Sequence, residues 1–202
     1  SLRRQRQMCI RDRVILTFLL GFILCFLLSS RIMPVIQAYK SPVQMLEPFL
    51  WTFGDTTAIL LSSVLLLLLF SDLPVLSAIT PYYLCRTTKK RWLFGQLFYV
   101  AAVSGIYTVF MLGATMILCA KVGYPGNIWS NTAAMLAYSK LGEDLNVPST
   151  VKVMESVTPY GCTAQVILLL FLYILCLSFI VLAGNLLPVS YTHLRAHETA
   201  AN

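Results

Sequence analysis

Long apolar runs at 14–30, 56–70, 93–119 and 165–187 decide the environment in which this chain can fold. A helix rises 1.5 Å per residue, so about 20 residues cross a hydrocarbon core about 30 Å thick, with about 17 as the lower limit. The third and fourth runs exceed that length. The first sits at the limit, and the second reaches it only if Leu50 to Phe53 join the helix, which puts Gly54 and Asp55 near the outer interface. Only 11 % of residues are charged, against about 25 % in a soluble domain. So few charges cannot cover a water-soluble globule, whereas a bilayer removes the need. The expected fold class is therefore all-α, a polytopic transmembrane helix bundle. Its membrane helices are expected at about 14–30, 50–72, 93–119 and 163–187, with an external loop over 120–162.

The formal net charge of +7 would suit nucleic acid or an anionic surface, but its location matters more than its size. Five of the fifteen basic residues lie in 1–13, Arg195 is a sixth, and both histidines, His193 and His197, are near the C-terminus. These same ends resemble translated adapters of transposase-based DNA sequencing libraries. RRQRQMCIRD (3–12) matches the first-read adapter through codons CGT CGG CAG CGT CAG ATG TGT ATA AGA GAC. VSYTHLRAHET (189–199) matches the second-read adapter in reverse complement. Residues 1–13 and 189–202 are accordingly read as adapter-derived rather than native, and few specific contacts are expected from them. The insert, 14–188, is expected to be a fragment whose natural termini lie outside it. It keeps nine of the fifteen basic and six of the eight acidic residues and no histidine. Nucleic acid is not an expected partner; the lipid bilayer is.

Orientation follows from the loops. The segment 71–92 holds Arg86, Lys89, Lys90 and Arg91 against Asp72 alone, whereas 31–55 holds Arg31 and Lys40, and 121–161 spreads Lys121, Lys140 and Lys152 over some forty residues. Basic residues in short loops stay on the cytoplasmic side. The 71–92 and post-187 segments are therefore expected inside and the 31–55 and 121–161 segments outside. A bacterial plasma membrane is the expected location. Helix one is expected to end before Arg31 and Pro34. Trp51 and Phe53 fit an aromatic belt. In helix two, about ten Leu, Ile, Val and Phe residues supply an insertion free energy near −4 kcal/mol, enough to absorb Ser62 and Ser63 if their hydroxyls bond back to helix carbonyls. In helix three, Ala101, Gly105 and Gly113 fall at spacings of four and eight, which lets a neighbouring helix approach. Within 121–161, GYPGN signals a turn. Ser130 or Asn131 is placed to cap a short helix carrying Met135, Tyr138 and Leu145 on one face, and another follows Pro148 through Val151, Met154 and Val157.

Catalytic chemistry is not indicated. The insert's cysteines, Cys25, Cys85, Cys119, Cys162 and Cys176, are odd in number and lack a CxxC pair, so neither a disulfide framework nor a metal site is suggested. Without histidine there is no zincin motif or Ser-His site. No nucleophile stands beside a base, no GxxxxGK[ST] phosphate loop is present, and no cofactor is expected. No carboxylate falls in the middle of a predicted span, where ion-coupled pumps hold theirs. The chain is not expected to be an enzyme.

The stretch LFSDLPVLSAITPYYLCRTTKKRWLFGQLFYV (69–100) resembles the permease subunits of ABC transporters, of the exporter class with six helices per subunit. The resemblance rests on a basic cluster, then an aromatic residue, then Gly-Gln opening helix three: Arg86, Lys89, Lys90, Arg91, Trp92, Gly95 and Gln96. It implies that the fragment holds four of six membrane helices. It also implies a coupling helix at about 77–84, with Tyr82, Tyr83, Leu84 and the four basic residues contacting a separate ATPase subunit. A further implied partner is a second permease, identical or different. The alternative is a multi-pass membrane protein outside transport, such as an assembly factor or an immunity protein.

Overall fold

The computed structural model describes residues 2–71, 73, 86–139 and 151–200. The chain forms α1 (Leu2–Tyr39), β1 (Val43–Gln44), α2 (Glu47–Gly54), α3 (Thr56–Phe70), α4 (Lys89–Cys119), β2 (Gly123–Tyr124), α5 (Asn131–Tyr138), α6 (Val151–Ser156) and α7 (Pro159–Ala200). Among the described residues three helices are long and apolar enough to cross a membrane: Asp12–Ala38, Lys89–Cys119 and Pro159–Leu186. The number rises to four if α2 and α3, which meet at 82°, count as one broken span.

Several boundaries differ from the sequence expectation, each for a local reason. Helix α1 does not stop before Arg31 but runs through Pro34 to Tyr39. Proline removes one backbone donor, a loss that apolar helices tolerate where neighbours re-satisfy the freed groups. The helix ends where Lys40 turns to φ 47°, the left-handed conformation that closes many helices. Leu50 to Phe53 do not extend the second apolar helix. They belong to α2, and Asp55, in extended conformation (φ −82°, ψ 126°), separates it from α3. Asp55 then caps α3 by accepting from Thr57 N at 3.1 Å. Ser62 and Ser63 both donate to the Ile59 carbonyl, at 2.9 and 2.6 Å. Helix α4 begins at Lys89, so Lys89, Lys90 and Arg91 of the basic cluster form its first turn, while Arg86 stays before it. Helix α7 begins earlier than expected, at Pro159, a residue suited to the first helical position because its missing donor would have no partner there.

The four long helices form a ring in the order α1, α3, α7, α4. Helices α1 and α3 run antiparallel, tied by Arg31 to Asp55 (3.8 Å) at one end and by Arg13 donating to Ser71 Oγ (2.8 Å) at the other. Helices α3 and α7 run parallel: Ser63 meets Tyr173 at 2.6 Å, and Asn185 Nδ2 donates to the Ser71 and Leu73 carbonyls at 3.2 and 2.6 Å. Helix α1 runs parallel to α4, since Phe18 packs on Tyr107 and Phe110 and Cys25 lies against Met111. The core between them is apolar, with Leu66, Phe70, Val100 and Ile174 almost wholly buried.

The outward faces are apolar too. Ile106, Val109 and Ile117 of α4 are 61 %, 69 % and 70 % exposed, and Leu60 of α3 and Leu169 of α7 are each 66 % exposed. Each such side chain forfeits about 1.5–3 kcal/mol if it faces water. A ring of them on every long helix fits a hydrocarbon surround.

Candidate functional site

Two places in the bundle carry polar chemistry beyond helix formation at its ends, and a third runs along a helix seam. At one end of the bundle, Arg86, Lys89, Lys90 and Arg91 are all exposed. Thr88 caps α4 without a side-chain hydrogen bond; its carbonyl accepts from Arg91 N at 3.0 Å and Trp92 N at 3.2 Å. No acidic residue stands in that first turn, and none of the four cations pairs with a described carboxylate. A cation at a helix N-terminus opposes the macrodipole by about 0.3–1 kcal/mol. This row therefore costs α4 stability and offers a concentrated positive charge at the end of the bundle. Trp92 and Gln96 are half-buried, and a Cβ added at Gly95 would meet nothing within 4 Å. Tyr82, Tyr83 and Leu84, with the rest of the expected coupling segment 77–84, lie outside the described residues.

At the opposite end the loops fold into a cap with its own core: Ile32, Ile36, Val43, Trp51, Ala133 and Leu136 are buried together. A two-residue parallel pairing, Val43 with Gly123 and Gln44 with Tyr124, joins the first and third loops. Gln44, fully buried, donates from Nε2 to the Gly126 carbonyl (3.1 Å) and accepts from Leu46 N (3.1 Å). Glu47, also fully buried, accepts from Ser130 N at 2.8 Å, from Ser130 Oγ at 2.5 Å and from Gln44 N at 3.3 Å. Ser130 in turn caps α5 by accepting from Ala133 N at 3.0 Å. The Glu47 carboxylate thus extends the α5 cap from across the cap core, at the helix end where negative charge is favoured. Burial, and then the Glu47 charge, push the Tyr124 phenol above its usual range. Trp129 Nε1 donates to the Val157 carbonyl (3.0 Å), and Asn127 Oδ1 accepts from Tyr160 N (3.2 Å), tying the cap to the start of α7.

Between cap and bundle lies α2, which touches all four long helices. Phe49 and Phe53, one turn apart with ring centroids 4.8 Å apart, point into the bundle core, while Trp51 packs in the cap. This corrects the aromatic-belt expectation: Trp51 and Phe53 are only 3 % and 6 % exposed. They close the cap end of the bundle from inside.

The helix-packing positions also shift. The buried face of α4 runs through Val100, Ser104, Tyr107, Thr108, Met111, Ala114, Thr115 and Cys119. Ala101, Gly105 and Gly113 lie beside it, partly buried. A Cβ at Gly105 would sit 3.8 Å from Phe171 of α7, and one at Gly113 would meet nothing within 4 Å. The tight approach falls instead at Gly21 of α1, where a Cβ would lie 3.3 Å from Met111 Sδ and 3.8 Å from Tyr107 Oη and Phe110. Gly21 belongs to a stripe that sequence reading passed over: Thr17, Gly21, Cys25 and Ser29, every fourth residue and all buried. The signal was a period-four series of small or polar residues inside an apolar run.

The described residues thus define an all-α bundle with three helices of membrane-spanning length and hydropathy. Among them no group of three or more His, Cys, Asp or Glu is arranged to hold a metal. Compared with protein-family models, curated proteins and solved structures, the chain finds no match in any of the three.

Proposed function

We propose that the chain is a membrane-spanning, permease-like subunit of an ATP-driven transporter, crossing the bilayer four times and using 77–91 to dock a separate ATPase subunit. The observation that carries this reading is the exposed basic row of Arg86, just before α4, and Lys89, Lys90 and Arg91 in its first turn. Its cost to the helix is offset if an anionic partner binds there. The adjoining apolar stretch PVLSAITPYYL is too short to span a membrane. Apolar side chains beside a basic cluster suit a partner's groove, with the charges steering approach and the aromatics supplying binding energy. The ring-shaped bundle presents lipid-like faces on every long helix, which suits pairing with a second permease, identical or different. The alternative, a multi-pass protein outside transport, draws support from the way α2 and the cap close the outer end.

The test is replacement of Tyr82, Tyr83 and Leu84 together by alanine in the full-length protein. Buried aromatic anchors are worth about 2 kcal/mol or more each, so co-purification with the ATPase should fall at least about 100-fold. Membrane insertion should be unchanged. A complex that survives the triple change, or a crosslinking pull-down of the unaltered protein that yields no ATPase, overturns the transport reading in favour of the alternative.

A further inference from the structure

The connection that carries α5 lacks the composition of a loop in water. No Asp, Glu, Lys or Arg occurs in 122–139, where an average soluble stretch has about one charged residue in four. Its exposed side chains are apolar or aromatic instead: Ile128 is 75 %, Met135 47 % and Tyr138 76 % exposed. On α5, Met135 and Tyr138 stand on the face opposite the buried Thr132, Ala133 and Leu136. Hydrogen bonds fix the depth of this stretch. Asn127 Oδ1 accepts from Tyr160 N in the first turn of α7, and Trp129 Nε1 donates to the Val157 carbonyl just before that helix. Ile128, between them, is held at the level where α7 starts. Ala133 and Leu136 are buried with Ile32 and Ile36, which lie one turn apart on α1 inside its apolar span Asp12–Ala38. Helix α5 therefore lies beside the last turns of α1 rather than beyond its tip, level with the ends of two helices of spanning length.

We propose that α5 is an interfacial anchor, whose Met135 and Tyr138 face seats the cap in the boundary between phospholipid headgroups and acyl chains. The inference rests on the bundle lying in a bilayer and is independent of the transport reading. A lipid surface fits this face because the face offers no charge for a partner to pair with. Tyrosine suits that boundary in particular, its ring buried among the acyl chains and its hydroxyl left among the headgroups. A helix in this position sinks its apolar face about 5–10 Å into the boundary. Ile128, at the start of the stretch, stays at headgroup level, within reach of water.

Depth-resolved quenching tests the anchor in the full chain, reconstituted into phosphatidylcholine vesicles on a cysteine-free background. A bimane fluorophore is attached at Tyr138→Cys or Met135→Cys. Ile106→Cys, near the middle of α4 and 61 % exposed, is the deep control. Lipid bearing a nitroxide near its headgroup should quench the α5 probes at least about 3-fold more than lipid bearing it at the acyl-chain ends, the reverse of the control. Quenching by aqueous iodide and not by lipid nitroxide means that the face looks into water. Quenching by neither means that protein covers it, and quenching that is strongest from the acyl-chain ends means that it lies in the hydrocarbon. Each of these three results overturns the proposal. Lipid-edited solid-state NMR on the unaltered chain decides the matter if the cysteine-free protein fails to fold. Magnetisation from acyl chains should reach the Met135 methyl group as fast as it reaches Ile106, and transfer from water alone overturns the proposal.

Discussion

Glu47→Ala is expected to unfasten the cap, lowering the thermal midpoint of the chain by about 6–12 °C. Three donors converge on the carboxylate: Ser130 N, Ser130 Oγ and Gln44 N. Alanine would leave all three buried and unmet. Each orphaned group costs about 1–3 kcal/mol, so a loss of about 3 kcal/mol is a low estimate for the set. For a chain of this size 1 kcal/mol shifts the midpoint by about 2–4 °C. Glu47→Gln keeps one acceptor oxygen, and its loss should be about half as large. Differential scanning fluorimetry in detergent reads both, and Trp129 emission reports the cap directly, since its indole donates to Val157 within that region. A shift under about 2 °C for Glu47→Ala would mean that the cap does not depend on the carboxylate.

Phe49→Ala should be as damaging by a different route. Phe49 is wholly buried, stacks on Phe53 at 4.8 Å and belongs to the bundle core, although α2 also packs against the cap. Removing such a ring costs about 3–5 kcal/mol in transfer and cavity terms, which is a midpoint drop on the order of 10 °C. Phe98→Ala is the matched control, because Phe98 is 71 % exposed on the outward face of α4 and should change the midpoint by less than about 2 °C. Equal effects from the two variants would contradict the placement of α2 inside the ring.

Helix existence was legible because every apolar run is helical in the structure, although the second, 15 residues long, falls short of a span by itself. The caps were legible where a single residue type carries the chemistry, as with Ser130 before α5. What stayed hidden depends on distant partners. Nothing local to Glu47 announces a serine 83 residues away. Trp51 and Phe53 have the composition of an interfacial belt, and only their burial distinguishes a plug from a belt. Pro34 reads as a stop in water but is tolerated inside an apolar helix. Ala101, Gly105 and Gly113 have the spacing of a packing stripe, yet the buried face begins one residue earlier, at Val100 and Ser104. One residue turns a helix by about 100°, enough to carry a stripe off the interface. The basic cluster was legible from charge alone, and its residues Lys89, Lys90 and Arg91 stand in the first turn of α4.

A docking role for the basic end of the bundle requires that end to be cytoplasmic and the cap external. Cysteine labelling with an impermeant thiol reagent tests this directly, in the full-length protein on a cysteine-free background. Thr88→Cys reports the exposed cap residue of α4, and Ile128→Cys reports the outer loop, where the native side chain is 75 % exposed. In intact cells Ile128→Cys should be labelled and Thr88→Cys should be protected until the membrane is permeabilised. Labelling of Thr88→Cys from outside intact cells would contradict the topology and, with it, the assignment of Arg86, Lys89, Lys90 and Arg91 to a cytoplasmic docking surface.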